Sequence, residues 1–352
     1  MCEPSSPKPS VVPEPPQPQV GSTPASRRRT AEGASLFSAH THESRSELQM
    51  SFRKYAQTSI DDFVEKVLPP LPPGFGEPTD AVKKVFHKLR RGSNKRAKAL
   101  EKQGDLYKWL SMMTLPKELS SHETVAFQPL ENVIADIKAA VDACQWPDAL
   151  TKPAPAFLYQ NSGNTTPASL HRRDSNNSRP DVCFVHSSGQ VAPAQKPSWW
   201  DIGFVGEFKK GDSSADLHND IQKVLWSLNI IMREDPCRHF AFGFTIENTT
   251  TRLWYCDRTQ IISSQAFDFS KDPFSLIWFI LAALYSDETA QGWDPTIECV
   301  LENSHNRSGA CQYNITVHQI CGKDSVEEVL YRTESLLSQT GADGIYGRGT
   351  HV

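Results

Sequence analysis

Apolar positions along this chain recur with two periods, and the switches between them mark its elements. Ile60, Phe63, Val64 and Val67 follow helical spacing until Pro69 and Pro70 stop the run, so a short helix is predicted there. "PLENVIADIKAAVDAC" puts Leu130, Val133, Ile134, Ile137 and Val141 on one stripe, the pattern of an amphipathic helix. "ADLHNDIQKVLWSLNIIMRE" does the same with Leu217, Ile221, Val224, Leu225, Leu228 and Met232. "FSLIWFILAALY", Phe274 to Tyr285, is apolar on every side and follows Asp272-Pro273, a cap and a first-turn proline. Its 12 residues fall short of the ~20 that cross a bilayer, so it is expected as a buried core helix and no membrane is expected as a partner.

Shorter runs read as strands. "APAFLYQNSGN" predicts a strand leading into a polar loop, and "RPDVCFVHSSG" a strand and turn. "WWDIGFVGEFKKG" predicts a strand over 199–210 that neighbours 180–186, with a helix over 215–233 packed on both. "RHFAFGFTIE" and "RLWYCDRTQIISSQAF" predict an aromatic-rich hairpin across "NTTT". Further strands and a helix around Ser325–Leu337 are expected toward the end. The fold class is therefore α/β (α+β), a mixed β-sheet flanked by helices.

Composition divides the chain. Residues 1–49 are rich in Pro and Ser, then in Ser, Arg and His, and are expected as a disordered tail. A helical, basic segment follows over 50–115, then an α/β core over 116–298, then connecting strands and a helix over 299–352. "AVKKVFHKLRRGSNKRAKALEK" holds nine Lys or Arg against one Glu. Such a run over 83–102 is open to a nucleic-acid partner. With Phe86 as its only aromatic it offers no platform for stacking bases, which favours a solvated basic helix face. The net charge of -4 excludes no class of partner. The eight cysteines form no C-x-x-C pair, so neither a zinc ribbon nor a secreted disulfide framework is indicated. With no apolar leader in residues 1–25, reduced thiols and an intracellular location, cytoplasmic or nuclear, are expected.

The candidate chemistry lies at the end of the central strand. Glu207 and Lys209 are two apart and share one face of a strand. Asp181 follows Pro180 at the head of the preceding strand, where pairing brings it beside them. Two carboxylates suit a hard divalent cation such as Mg²⁺, which activates water and neutralises a scissile phosphate; an adjacent lysine orients the nucleophile or stabilises the charge. The plain alternative is an ion pair of Lys209 with Glu207 or Asp181 that satisfies the strand end. The set resembles the PD-(D/E)xK motif of restriction-endonuclease-like nucleases. That resemblance implies a restriction-endonuclease-like core, with Asp181, Glu207 and Lys209 at its site. It adds Gln222 from the next helix, as in a Q-x-x-x-Y pattern with Trp226 in place of the tyrosine, and Glu131 as a further carboxylate for metal.

From about Phe127 to the end the chain also resembles the fungal-type protein kinase family. "RPDVCF", "WWDIGFVGEFKK", "DPCRHFAFGFTIENTTTRLWYCDRT", "FDFSKDPFSLIWFILAAL" and "GWDPTI" carry the resemblance. "IYGRGTHV" is similar to the first strand and glycine turn of the kinase small lobe, which implies that Gly347 and Gly349 begin a phosphate-covering loop. ATP is implied only for a complete lobe. The strand lysine, the catalytic aspartate with its asparagine and the D-F-G aspartate do not appear before Val352. "HRRDSNN" carries an inserted arginine and lies far upstream; "FDFSKD" lacks the glycine. The resemblance thus implies the N-terminal regulatory or targeting half of such a kinase, cut at the kinase border, with a protein partner or the rest of the kinase lobe to contact. A metal-dependent nuclease, and an inactive scaffold that binds nucleic acid or protein, remain alternatives.

Overall fold

Two apolar surfaces on opposite faces of one β-sheet organise the molecule. The computed structural model describes residues 55–91, 98–147, 153–162, 165–169, 178–187, 196–300, 312–320 and 326–334. The helices are α1 (Ile60–Lys66), α2 (Pro78–Arg91), α3 (Pro129–Ala143), α4 (Ser214–Glu234) and α5 (Pro273–Tyr285), with a single turn at Glu123–Ala126 before α3. The strands are β1 (Ala56–Thr58), β2 (Leu100–Gln103), β3 (Leu106–Trp109), β4 (Phe157–Asn161), β5 (Val182–His186), β6 (Ile202–Lys209) and β7 (Phe240–Glu247). They continue with β8 (Thr250–Asp257), β9 (Ile261–Ser264), β10 (Phe267–Asp268), β11 (Ile297–Val300), β12 (Gln312–Ile320) and β13 (Val326–Arg332). The main sheet runs β1-β9-β8-β7-β6-β5-β4, with β10 also on β8. β6 pairs with β7 in parallel, as β1 does with β9, and the other pairs are antiparallel. This is the mixed, helix-flanked sheet that the pattern predicts.

The alternation of side chains along the strands sorts the core into two layers. Phe184, Phe204, Phe208, Phe242 and Phe244 point to one side, where Phe279 of α5 meets the rings of Phe184, Phe204 and Phe244. The buried faces of α1, α2 and α3 join that cluster. Val205, Ala241 and Trp254 point to the other side, against Val224, Leu225, Leu228 and Ile231 of α4. α4 is the connection from β6 to its parallel neighbour β7, as antiparallel hairpins cannot supply one. The basic run enters the same core: Ala81, Val82, Val85, Phe86 and Leu89 of α2 are buried, and its lysines and arginines line the outer side.

Four expectations change. Trp199–Asp201 form a 3-10 turn, and the strand predicted from Trp199 begins at Ile202. The second arm of the hairpin breaks after Asp257, whose Oδ1 accepts the N–H groups of Thr259 (2.6 Å) and Gln260 (2.8 Å), so β8 and β9 are separate strands. The helix expected around Ser325–Leu337 is instead strand β13 over its described part, because Val326–Arg332 pairs antiparallel with β12, from Ile320↔Val326 to Asn314↔Arg332. Long-range pairing there overrides local spacing. Cys299 is disulfide-bonded, which departs from fully reduced thiols; Cys144, Cys183, Cys237 and Cys256 are free. No helix among the described residues is long and apolar enough to cross a membrane. The 1–49 tail and the glycine turn with Gly347 and Gly349 lie outside the described residues.

Candidate functional site

Asp181 reaches the end of β6 through the backbone. Its N–H donates to the Gly206 carbonyl (3.0 Å), and its Oδ2 accepts the Phe208 N–H at 2.8 Å. Gly206 makes the approach feasible: a Cβ there would lie 2.4 Å from the Phe244 ring and 2.6 Å from Val182. The residue after it, Glu207, is buried and turns to the opposite face, toward α4, as does Lys209. Thr245 and Glu247 stand beside them on β7, in register with Glu207 and Lys209.

The helix meets this face with two charged side chains. Lys223 Nζ lies 3.3 Å from Glu207 Oε2. Burial alone would lower the Lys223 pKa, but Glu207, Asp181 and Asp220 together outweigh it and hold it above the ordinary value. Asp220 is fully buried and neither carboxyl oxygen has a hydrogen-bond partner. Burial pushes its pKa up to about 9; Lys209 and Lys223 oppose the rise, while Glu207 and Glu247 add to it. Burial also raises Glu247, against the pull of Arg252, whose Nη1 sits 2.5 Å from Glu247 Oε2. Asp181 is raised by burial too, with Lys223, the Phe208 N–H and Lys209 opposing.

Lys209 turns to neither Glu207 nor Asp181 for its ion pair. Its Nζ lies 2.8 Å from Glu123 Oε2, on the single turn before α3. That segment is tied to the same end of the sheet at other points: Lys210 Nζ donates to the Ser121 carbonyl (2.5 Å), the Lys117 N–H to Asn248 Oδ1 (3.1 Å) and Lys117 Nζ to Asp212 (2.8 Å). With Asp220 protonated, the carboxylates of Glu123, Glu207 and Glu247 face the cations of Lys209, Lys223 and Arg252, three against three. Asp181 is the acid that remains.

The structure thus brings Asp181, Glu207 and Lys209 to one place. Gln222 is not part of it: its amide meets His218 Nε2 at 3.1 Å on the exposed side of α4. Glu131 is exposed in the first turn of α3, beside Tyr159, whose surroundings also include Asp181. The sequence reading missed Asp220, Lys223, Glu123, Glu247 and Arg252. Only Asp220 left a trace, since it stands three residues after Leu217 and four before Val224, inside the apolar stripe of its helix.

Among the described residues, no group of three or more His, Cys, Asp or Glu side chains could hold a metal ion. The ammonium of Lys223 has Glu207, Asp181 and Asp220 as its electrostatic partners, and this donor set does not fit a divalent cation. A profile of the fungal protein kinase family matches residues 179–352. No curated protein and no solved structure matches the chain.

Proposed function

With residues 179–352 belonging to the fungal protein kinase family, we propose that the described α/β body is a regulatory or targeting module of a kinase-related protein, built on a restriction-endonuclease-like scaffold that performs no metal chemistry. The order α3, antiparallel β4–β5–β6, α4, then β7 parallel to β6 supports the scaffold. One observation carries the loss of chemistry: Lys223 faces the three acids that would otherwise serve a cation. ATP binding through Gly347 and Gly349 belongs to a complete kinase lobe, with the strand lysine and metal-binding aspartate that this chain does not show. The outward cations of α2 are the proposed surface for an acidic partner, nucleic acid or protein.

A metal-dependent nuclease is the second reading. It is favoured by Asp181 held against β6 and by the unpartnered carboxyl of Asp220. Purified 1–352 supplied with Mg²⁺ or Mn²⁺ separates the two. The module reading expects neither phosphate transfer from ATP to protein nor cleavage of single- or double-stranded DNA. Cleavage that disappears in Glu207→Gln establishes the nuclease instead, and phosphate transfer refutes the non-catalytic reading outright.

A further inference from the structure

The small sheet ends in an edge that nothing among the described residues covers. β13 pairs with β12 on one side and with no described strand on the other. One face of this sheet is seated on the body: Tyr313 stacks on Trp200, and Ile297, Cys299 and Ile315 pack against the same cluster. That face continues past the body as Val317, Val329 and Tyr331, paired as Val317↔Val329 and Ile315↔Tyr331. Tyr331 is 49% exposed, and Leu330, on the other face, 64%.

Hydrogen bonding fixes which groups the edge presents. The Thr333 N–H donates to the Tyr313 carbonyl (2.9 Å), so Tyr313 turns its backbone toward β13. The Thr316 N–H donates to the Thr296 carbonyl (2.8 Å), so Thr316 turns toward β11. These directions alternate along an antiparallel strand. Asn314, Thr316 and His318 therefore bond away from β13, and the residues opposite them, Arg332, Leu330 and Glu328, direct N–H and C=O outward. Edge strands are ordinarily blunted by proline, lysine, a bulge or brevity. β13 has 7 residues, none of them proline, lysine or glycine, and its register with β12 is unbroken.

We propose that this edge joins a second copy of this chain, β13 to β13, about a two-fold axis at Leu330. A two-fold axis makes the contact antiparallel and self-complementary. Leu330 then meets Leu330 of the other copy and exchanges both backbone hydrogen bonds with it. Glu328 meets Arg332 on either side of the axis, and Val329 meets Tyr331. Opposite charges and β-branched–aromatic pairs are the combinations that stabilise antiparallel neighbours. Adjacent registers lose them. Centring on Glu327 or Glu328 opposes glutamate to glutamate, and centring on Tyr331 opposes Glu328 to Glu334. Centring on Val329 opposes Glu328 to Leu330 and Arg332 to Val326. Glu328 and Arg332 already have neighbours on β12, His318 at 3.6 Å and Gln312 at 2.6 Å; across the axis each gains a partner of opposite charge. The two small sheets become one, with Ile315, Val317, Val329 and Tyr331 of both copies on a single apolar face. The contact is independent of the lysine–carboxylate cluster and of the module reading.

Sedimentation velocity of purified 1–352 tests it, with Glu328→Arg, Arg332→Glu and the two combined. A contact of one short strand is small, so micromolar rather than nanomolar association is expected. The wild type should move from monomer toward dimer between about 5 µM and about 0.2 mM. Either single substitution puts like charges opposite each other on both sides of the axis and should weaken association about tenfold or more. The combined swap restores opposite charges and should recover it. These side chains are exposed, so the melting temperatures of the dilute monomers should agree. A wild type that stays monomeric at about 0.2 mM overturns the proposal, and is the result expected if residues 335–352 cover the edge instead. So does a dimer indifferent to both single substitutions, or one that the combined swap fails to recover.

Discussion

Asp220 is the acid most displaced from its solution behaviour, and the displacement has a direction that can be measured. An unfolded aspartate titrates near ~3.9, whereas in the fold burial raises this one to about 9. The folded protein therefore holds a proton that the unfolded chain has released. Its contribution to stability is fully present below about pH 4 and is lost progressively as pH rises toward 9, at up to about 1.4 kcal/mol per pH unit. Asp220→Asn removes this dependence. The melting temperature of the variant minus that of the wild type should increase between pH 5 and pH 8; a constant difference would refute the buried, protonated acid. The sequence showed the charged pair Glu207 and Lys209, because a period of two is a local property. It could not show Glu123, which lies far along the chain and joins Lys209 only after folding.

At the scale of elements, the apolar stripes of α3, α4 and α5 were legible because each helix buries one face or all of its surface in a single core. β13 was not legible. Its Val, Leu and Tyr fit either period, and the choice is made by β12, outside the window that local spacing surveys. The break between β8 and β9 was hidden for a different reason: one side chain, Asp257, turns the chain within an otherwise strand-like run. β6 offers the sharpest test of how strand packing positions the cluster. Gly206→Ala should destabilise by about 1–3 kcal/mol, the usual range for overpacking, since the new methyl meets the Phe244 ring and Val182. Chemical denaturation would measure it, and a midpoint equal to that of the wild type would show that the strands yield without strain.

For the whole molecule, the mixed sheet and its helical flanks followed from pattern, but the parallel pairing of β1 with β9 did not, since three residues carry no periodic signal. Under the proposed reading, the protein's own cations close a cluster of acids in a chain whose residues 179–352 match the fungal protein kinase family. Lys223, 3.3 Å from Glu207 Oε2, then supplies the charge that makes burial of Glu207 tolerable. The most direct measurement is the melting temperature of purified 1–352, and of its Glu207→Gln variant, with and without Mg²⁺ or Mn²⁺. A cation bound only to the folded state would add about 2.7 kcal/mol at a hundredfold excess over its dissociation constant. Closure by lysine predicts that neither protein responds to either metal at any concentration up to a few millimolar; a metal-dependent rise in the wild type that vanishes in Glu207→Gln would contradict it.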